Sequence, residues 1–293
     1  MTKKAPRTII YPSLSDPRLT GLLFVGCYVA FAIISPGFGR SIEQFVTGLA
    51  TAVVLDFAFQ YFYWSLLLVP ISAVFPGCTV TLLCDSPDLW PFAVVVGAAI
   101  LSKHLIRTGG RHIFNPINFG IVFGLLFFGD HLRVTYVRWG GHWPIVALIV
   151  ALGFITSYRC RRIALPVSYI TAFVAGAFIQ SLIQGCRFMT VAAPATGPIF
   201  HVFAFVMIPD PGTSPRWTRG QIVFGVAIAV LETVMRIFEI RDAPFYSLFI
   251  ITGLMPIFLP DDGIPLTAGV WKPRARVIGG RPRRRSSKNS RTR

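Results

Sequence analysis

Apolar residues run along this chain in continuous blocks. They fall at about 19–36, 44–60, 64–84, 89–106, 114–129, 143–157, 163–184, 196–208, 221–235 and 243–259, with polar or basic turns between them. Each block predicts a helix that is apolar on most of its faces, as a membrane span must be. Several are shorter than the roughly 20 residues that cross about 30 Å of hydrocarbon, so some helices must be tilted, broken or extended by flanking polar turns. A transmembrane β-barrel would alternate polar and apolar residues in segments of about ten, which these continuous blocks do not. The predicted fold class is an all-α polytopic membrane protein with about ten transmembrane helices.

Composition agrees. Hydrophobic residues make up 54% of the chain and charged residues 14%, with a mean hydropathy of +0.63; an ordinary soluble domain carries about 25% charged residues. Charge adds an orientation. With a cytoplasmic N-terminus and ten crossings, 22 of the 28 Lys and Arg fall on the cytoplasmic side, including ten from Lys272 to Arg293. Asp85, Asp88 and Asp130 fall on the other side, so the positive-inside rule places both termini in the cytoplasm of a cell (inner) membrane protein. The net charge of +16 then needs no nucleic acid as partner. Its largest part is a basic tail with too little apolar surface to fold, suited to anionic lipid headgroups. This organises the chain as a cytoplasmic segment 1–18, a single transmembrane domain 19–262 and a disordered tail 263–293. Lys3, Lys4 and Arg7 before the first run resemble a secretory signal, but Asp16 and Arg18 border the run without a small-residue cleavage pattern, which predicts an uncleaved first helix.

A weak internal symmetry divides the membrane domain into repeats at about 19–130 and 143–260. An offset of 128 residues lays Gly97 on Gly225 and Pro116 on Pro244, and nearly matches Gly124 with Gly253. Five helices in each repeat give the halves opposite topology, the arrangement of many transporters with a site at the repeat interface. Proline interrupts the third run at Pro70 and Pro76 and the eighth at Pro194 and Pro198, and such breaks persist at membrane depth only where they are buried in protein or line a cavity.

The chemistry-bearing residues are few. Asn115 before Pro116 is a helix start, the amide capping free N–H groups and proline standing where its missing donor costs nothing. The same helix end lies near Lys103, Arg107, Arg111, His112 and Asn118, so it also reads as an anion site for a phosphate, a flavin's polar edge or a reduced quinone's oxygen. For Arg107 and Arg111 taken singly, a snorkelling anchor explains the sequence as well. The stretch Asp210 to Pro215 has turn composition, and Asp210, Thr213 and Ser214 equally suit a polar loop over a central ligand or ion. Asp56 and Glu232 fall inside apolar runs, where a charge costs about 2.5 to 3.5 kcal/mol on insertion scales; each is packing glue or an ion relay. The repeat also predicts a pair between Lys103 and Glu232. Cys27, Cys78, Cys84, Cys160 and Cys186 form no CxxC and no Cys/His spacing, so no metal site is indicated. No nucleophilic set, Walker loop or dinucleotide fingerprint appears, and any NADH chemistry belongs to partners.

Two stretches carry a family resemblance. Ser102-Lys103-His104-Leu105-Ile106-Arg107 with Gly110-Arg111-His112-Ile113-Phe114-Asn115-Pro116-Ile117-Asn118-Phe119-Gly120, and later Phe205-Val206-Met207-Ile208-Pro209-Asp210-Pro211-Gly212-Thr213-Ser214-Pro215 with Arg219-Gly220 and Phe224-Gly225, resemble the two signatures of the RnfD/NqrB membrane family. The resemblance spans roughly Leu89 to Asp262. It is greatest to the short stand-alone members, including those of enediyne biosynthetic clusters. It implies two inverted five-helix repeats similar to urea-channel architecture, and a subunit that moves electrons through flavins coupled to ion movement. Two departures stand out. The Ser-Gly-Ala-Thr motif that attaches FMN covalently is absent, its nearest echo being Pro194-Ala195-Thr196-Gly197, so FMN or riboflavin, or a quinone, would be held non-covalently. Pro209 also stands where the family usually has threonine, which removes a hydroxyl and a backbone donor beside Asp210. Three functional readings follow: a subunit of a membrane oxidoreductase acting with other membrane redox subunits, an ion or small-solute channel or transporter on the same scaffold, or an accessory structural subunit.

Overall fold

The computed structural model describes residues 9–10, 17–34, 39–64, 67–68, 71–108, 111–135 and 143–258. The basic tail, Pro70 and the glycines at 109–110 lie outside the described residues. A helical segment stands at each of the ten apolar runs. In the first half these are α1 (Pro17–Ile34), α2 (Ile42–Phe59, continued by a π turn Gln60–Trp64), α3 (Ile71–Leu83), α4 (Trp90–Leu105) and α5 (Pro116–Phe128). The second half has α6 (Trp143–Arg159), α7 (Ala164–Gln184), a segment formed by α8 (Phe188–Ala192) and α9 (Pro198–Val202), α10 (Thr218–Ile237) and α11 (Ala243–Phe258). The fold is thus all-α and polytopic; its described strands are two-residue pairs in the connections.

Local sequence explains the ends of these helices. Ser41 and Gln44 form a reciprocal capping box at the start of α2, with Ser41 Oγ accepting from Gln44 N at 3.3 Å and Gln44 Oε1 accepting from Ser41 N at 3.2 Å. Asn115 caps α5 as expected, its Oδ1 accepting from Asn118 N at 3.1 Å with Pro116 first in the helix. Gly185, at φ +64, closes α7 in the left-handed conformation that glycine adopts without strain.

Three described helices are long and apolar enough to cross a membrane unaided: α2 with part of its π turn, α7 and α10. The eighth run breaks as the prolines predict. The segment ending at Thr196 and the one beginning at Pro198 meet at 63°, with Gly197 extended between them. The third run does not break where Pro76 stands, because α3 begins only at Ile71. Pro76 lies in its second turn, where the missing N–H costs a single bond, to the carbonyl of Ser72. At 13 residues each, α3 and α5 are about 20 Å long at 1.5 Å per residue, short of the hydrocarbon thickness.

The packing repeats between halves. α2 lies on α4 as α7 lies on α10, α4 on α5 as α10 on α11, and α1 on α3 as α6 on α9. The equivalent helices also touch each other, α1 with α6 and α5 with α11. The last pair runs antiparallel: Phe114, just ahead of α5, stacks on Phe249 at 4.5 Å and lies against Gly253, while Asn118 Nδ2 donates to Phe245 O at 3.0 Å. Antiparallel contact between equivalent helices is what a twofold in the membrane plane requires.

Small residues set the helix approach. A Cβ on Gly225 of α10 would lie 2.9 Å from Leu165 O and 3.0 Å from Tyr169 N on α7, both backbone atoms that cannot swing aside. Gly225→Ala should therefore lower stability by about 1–3 kcal/mol through overpacking, despite alanine's better helix propensity. Unfolding of the detergent-solubilised variant checks this, and a midpoint at or above wild type would contradict the close approach.

Candidate functional site

The two sequence signatures meet at one end of the bundle. After α4 the chain forms a strand pair, β1 (Arg107–Thr108) with β2 (Arg111–His112), which leads into the Asn115 cap. After α9 a second π turn, Phe203–Met207, leads into the 208–217 loop. Asn115 Nδ2 donates to Met207 O at 3.0 Å, Arg111 donates to Pro211 O at 3.1 Å, and His112 Nε2 lies 3.0 Å from Asp210 Oδ2. Gly212 makes room for this contact, since any Cβ there would run into the His112 ring.

Asp210 organises its own turn. Its carboxylate accepts from Gly212 N at 3.0 Å, and its carbonyl accepts from Thr213 N, Ser214 N and, at 2.7 Å, Ser214 Oγ. Thr213 Oγ1 lies 3.5 Å from the carboxylate. Burial works against the charge on Asp210, but His112, the Gly212 N–H and Arg162 outweigh it and hold the carboxyl below the usual carboxylate range. A carboxylate of the protein itself thus lies beside the start of α5, where an anion is expected, with Asn115 Nδ2 3.5 Å from its Oδ2. Positive charge remains in excess. Arg162 acts on this acid, Arg111 and Arg216 lie close enough to Arg162 to press on its charge, and Arg107 is half-buried in the strand pair.

Arg162 is the residue that sequence reasoning missed. Counted as a positive-inside anchor, it is instead 5% exposed, and its Nη1 donates to Ser214 O and Ser214 Oγ, each at 2.8 Å, and to Pro215 O. Burial, together with Arg111 and Arg216, pushes its pKa down to about 10 against the pull of Asp210, so it stays charged near neutral pH. Its equivalent in the first half is Arg40. Both stand two residues before the second helix of their repeat, and Arg40 likewise reaches the loop after the third, at Asp85 Oδ1 (2.6 Å) and Cys84 O. That shared position was the available signal.

The structure brings Arg111, His112, Asn115, Asp210, Thr213 and Ser214 together, with Asn118 one turn along α5. Lys103 belongs elsewhere. Its Nζ donates to Asp56 Oδ1 at 2.8 Å and to Ser72 Oγ at 2.7 Å, while His104 Nε2 lies 2.9 Å from the same carboxylate oxygen and Gln60 Nε2 donates to the other at 2.7 Å. Glu232 is met by Tyr169 OH at 2.6 Å and by Arg236 at 4.0 Å. The expected Lys103–Glu232 pair is therefore corrected, because each acid finds its close partners within its own half.

Among curated proteins no sequence matches this one. A family model matches residues 131–259, which cover the second repeat and the loop built on Asp210 but not the first signature. That match, to the NQR2, RnfD, RnfE family, supports RnfD/NqrB-like family membership for this membrane chain.

Proposed function

We propose that the chain is an inner-membrane subunit of an electron-transport complex, with both termini in the cytoplasm, and that its basic loop cluster binds the anionic edge of a flavin or reduced quinone without a covalent bond. The observation that carries this reading is the meeting of the two signatures, which sets Asp210 beside the start of α5 with Arg162 acting on it and brings Arg111 and Arg216 up against Arg162. This donor set suits a phosphate or a phenolate oxygen better than a neutral ring. Arg111 and Arg216 would face such a group, with Arg162 and Asp210 holding the loop that carries them. The bound group would supply the electron chemistry. Nothing favours covalent attachment: Thr196, the nearest echo of the flavin-bearing threonine, donates its hydroxyl to Ala193 O at 2.7 Å. Ion movement coupled to this role, and other membrane redox subunits as partners, extend the same reading.

The visible spectrum of the detergent-purified protein tests it, before and after acid precipitation and with dithionite bleaching. A near-stoichiometric yellow chromophore released by acid is expected, and Asn115→Ala should lose at least half of it, along with about 1 kcal/mol of stability from the lost cap. Full occupancy in Asn115→Ala would move the site away from α5. A colourless wild type would favour ion or solute transport on the same scaffold, the reading that the 63° break in the eighth run supports.

A further inference from the structure

Glu232 stands apart from the loop cluster. It lies inside α10, 2% exposed, with Tyr169 OH at 2.6 Å as its close partner. Arg236, one turn on, keeps its guanidinium 4.0 Å away and is drawn elsewhere, donating to Val191 O and lying 4.9 Å over the Phe173 ring. Beside the carboxyl is a space of about 20 Å³, lined chiefly by Tyr169, Pro194, Phe200, Phe203 and Phe245. Pro194 and Phe200 come from either side of the helix break, so the break itself forms part of this wall. A space of that size admits one water molecule.

The chemistry of the wall separates two occupants. A hard metal cation needs several oxygen ligands, whereas the side chains here offer one carboxyl and one phenol among aromatic and aliphatic groups. A proton needs a single oxygen and a water to deliver it. We infer that Glu232, with Tyr169, is a proton-binding station that exchanges its proton with water at the helix break. This deepens the ion-movement part of the reading above by naming the ion. In the exchange, the O–H bond that forms on Glu232 is the one that breaks on a protonated water, and release reverses it. Tyr169 OH keeps the carboxyl in place through both states. The other titratable groups on the surrounding elements are Arg236 on α10 with Arg219 near that helix's far end, His201 beyond the break, which stands against Phe200 and Phe205, and Asp242 and Tyr246 at the head of α11.

Infrared difference spectroscopy of the whole protein in lipid nanodiscs, titrated with pH, tests this without needing a chromophore. A C=O band of a protonated carboxyl should titrate in wild type, vanish in Glu232→Gln, and shift its midpoint by about one pH unit in Tyr169→Phe, the worth of one hydrogen bond. Exchanging sodium for choline at constant ionic strength should leave the midpoint in place. The assignment is overturned if no carboxyl band titrates, if the band survives in Glu232→Gln, or if sodium displaces the midpoint, which would make the site a cation site. Should Glu232→Gln fail to fold, Tyr169→Phe decides alone, an unmoved midpoint overturning the station. A colourless protein with this band intact would sink the flavin part of the redox reading and leave the proton station standing.

Discussion

Arg162→Ala should lower stability by about 3 kcal/mol. The guanidinium donates to two carbonyls and a hydroxyl of the loop after α9, and these acceptors sit inside the protein, where water does not replace a lost donor. Hydrogen bonds from a charged donor are worth about 1.5–3 kcal/mol each, and an acceptor left buried without one is itself costly. Relief works in the other direction, since Arg111 and Arg216 crowd the same charge, which keeps the total near the worth of one or two bonds. Arg162→Lys should recover less than half of the loss, because an ammonium on a flexible stem cannot match the planar fork that meets Ser214 and Pro215 together. Urea or thermal unfolding in detergent, followed by helical circular dichroism, reads both variants. A loss under 1 kcal/mol in Arg162→Ala would mean that the loop holds its shape through Asp210 alone.

What was legible in the sequence was local. Asn115 and Asn118 lie three residues apart, so a cap and its receiving N–H can be read directly from spacing, and the structure has that bond. The Asp210 turn is likewise written within five residues. The apolar blocks each contain a helix, and α8, at Phe188–Ala192, is the described helix that falls between two of them. Partners distant in the chain were not legible. Lys103 and Asp56 are 47 residues apart, and either acid of the two halves satisfies a lysine equally well on paper. Arg162 was hidden for another reason: an arginine at the edge of an apolar run has the composition of an interfacial anchor whether it faces headgroups or a buried loop. In the third run Pro76 is carried inside α3 at the cost of one bond, while the run's other proline, Pro70, lies outside the described residues.

The Asp56 cluster should show strong coupling in a double-mutant cycle. Asp56→Leu leaves Lys103 with Ser72 as its neighbour and no countercharge, and removing one partner of a buried pair costs about 3–5 kcal/mol. The lysine is 17% exposed against 1% for the acid, so it keeps some access to water and the loss should fall at the lower end of that range. Lys103→Met should cost less, about 1–2 kcal/mol, because the carboxylate retains His104 on one oxygen and Gln60 on the other. The double variant removes both charges and fills the site with apolar side chains, which is often neutral for a buried pair; it should be more stable than the sum of the single losses predicts by about 2 kcal/mol. His104 keeps the recovery incomplete, since its ring stacks on Phe59 at 4.8 Å and loses its one close acceptor with the acid. The same cycle run on Lys103 and Glu232 should be additive, because those residues share no partner. Coupling there and additivity at Asp56 would reverse the pairing and show that the two halves exchange charges across the twofold rather than closing on their own.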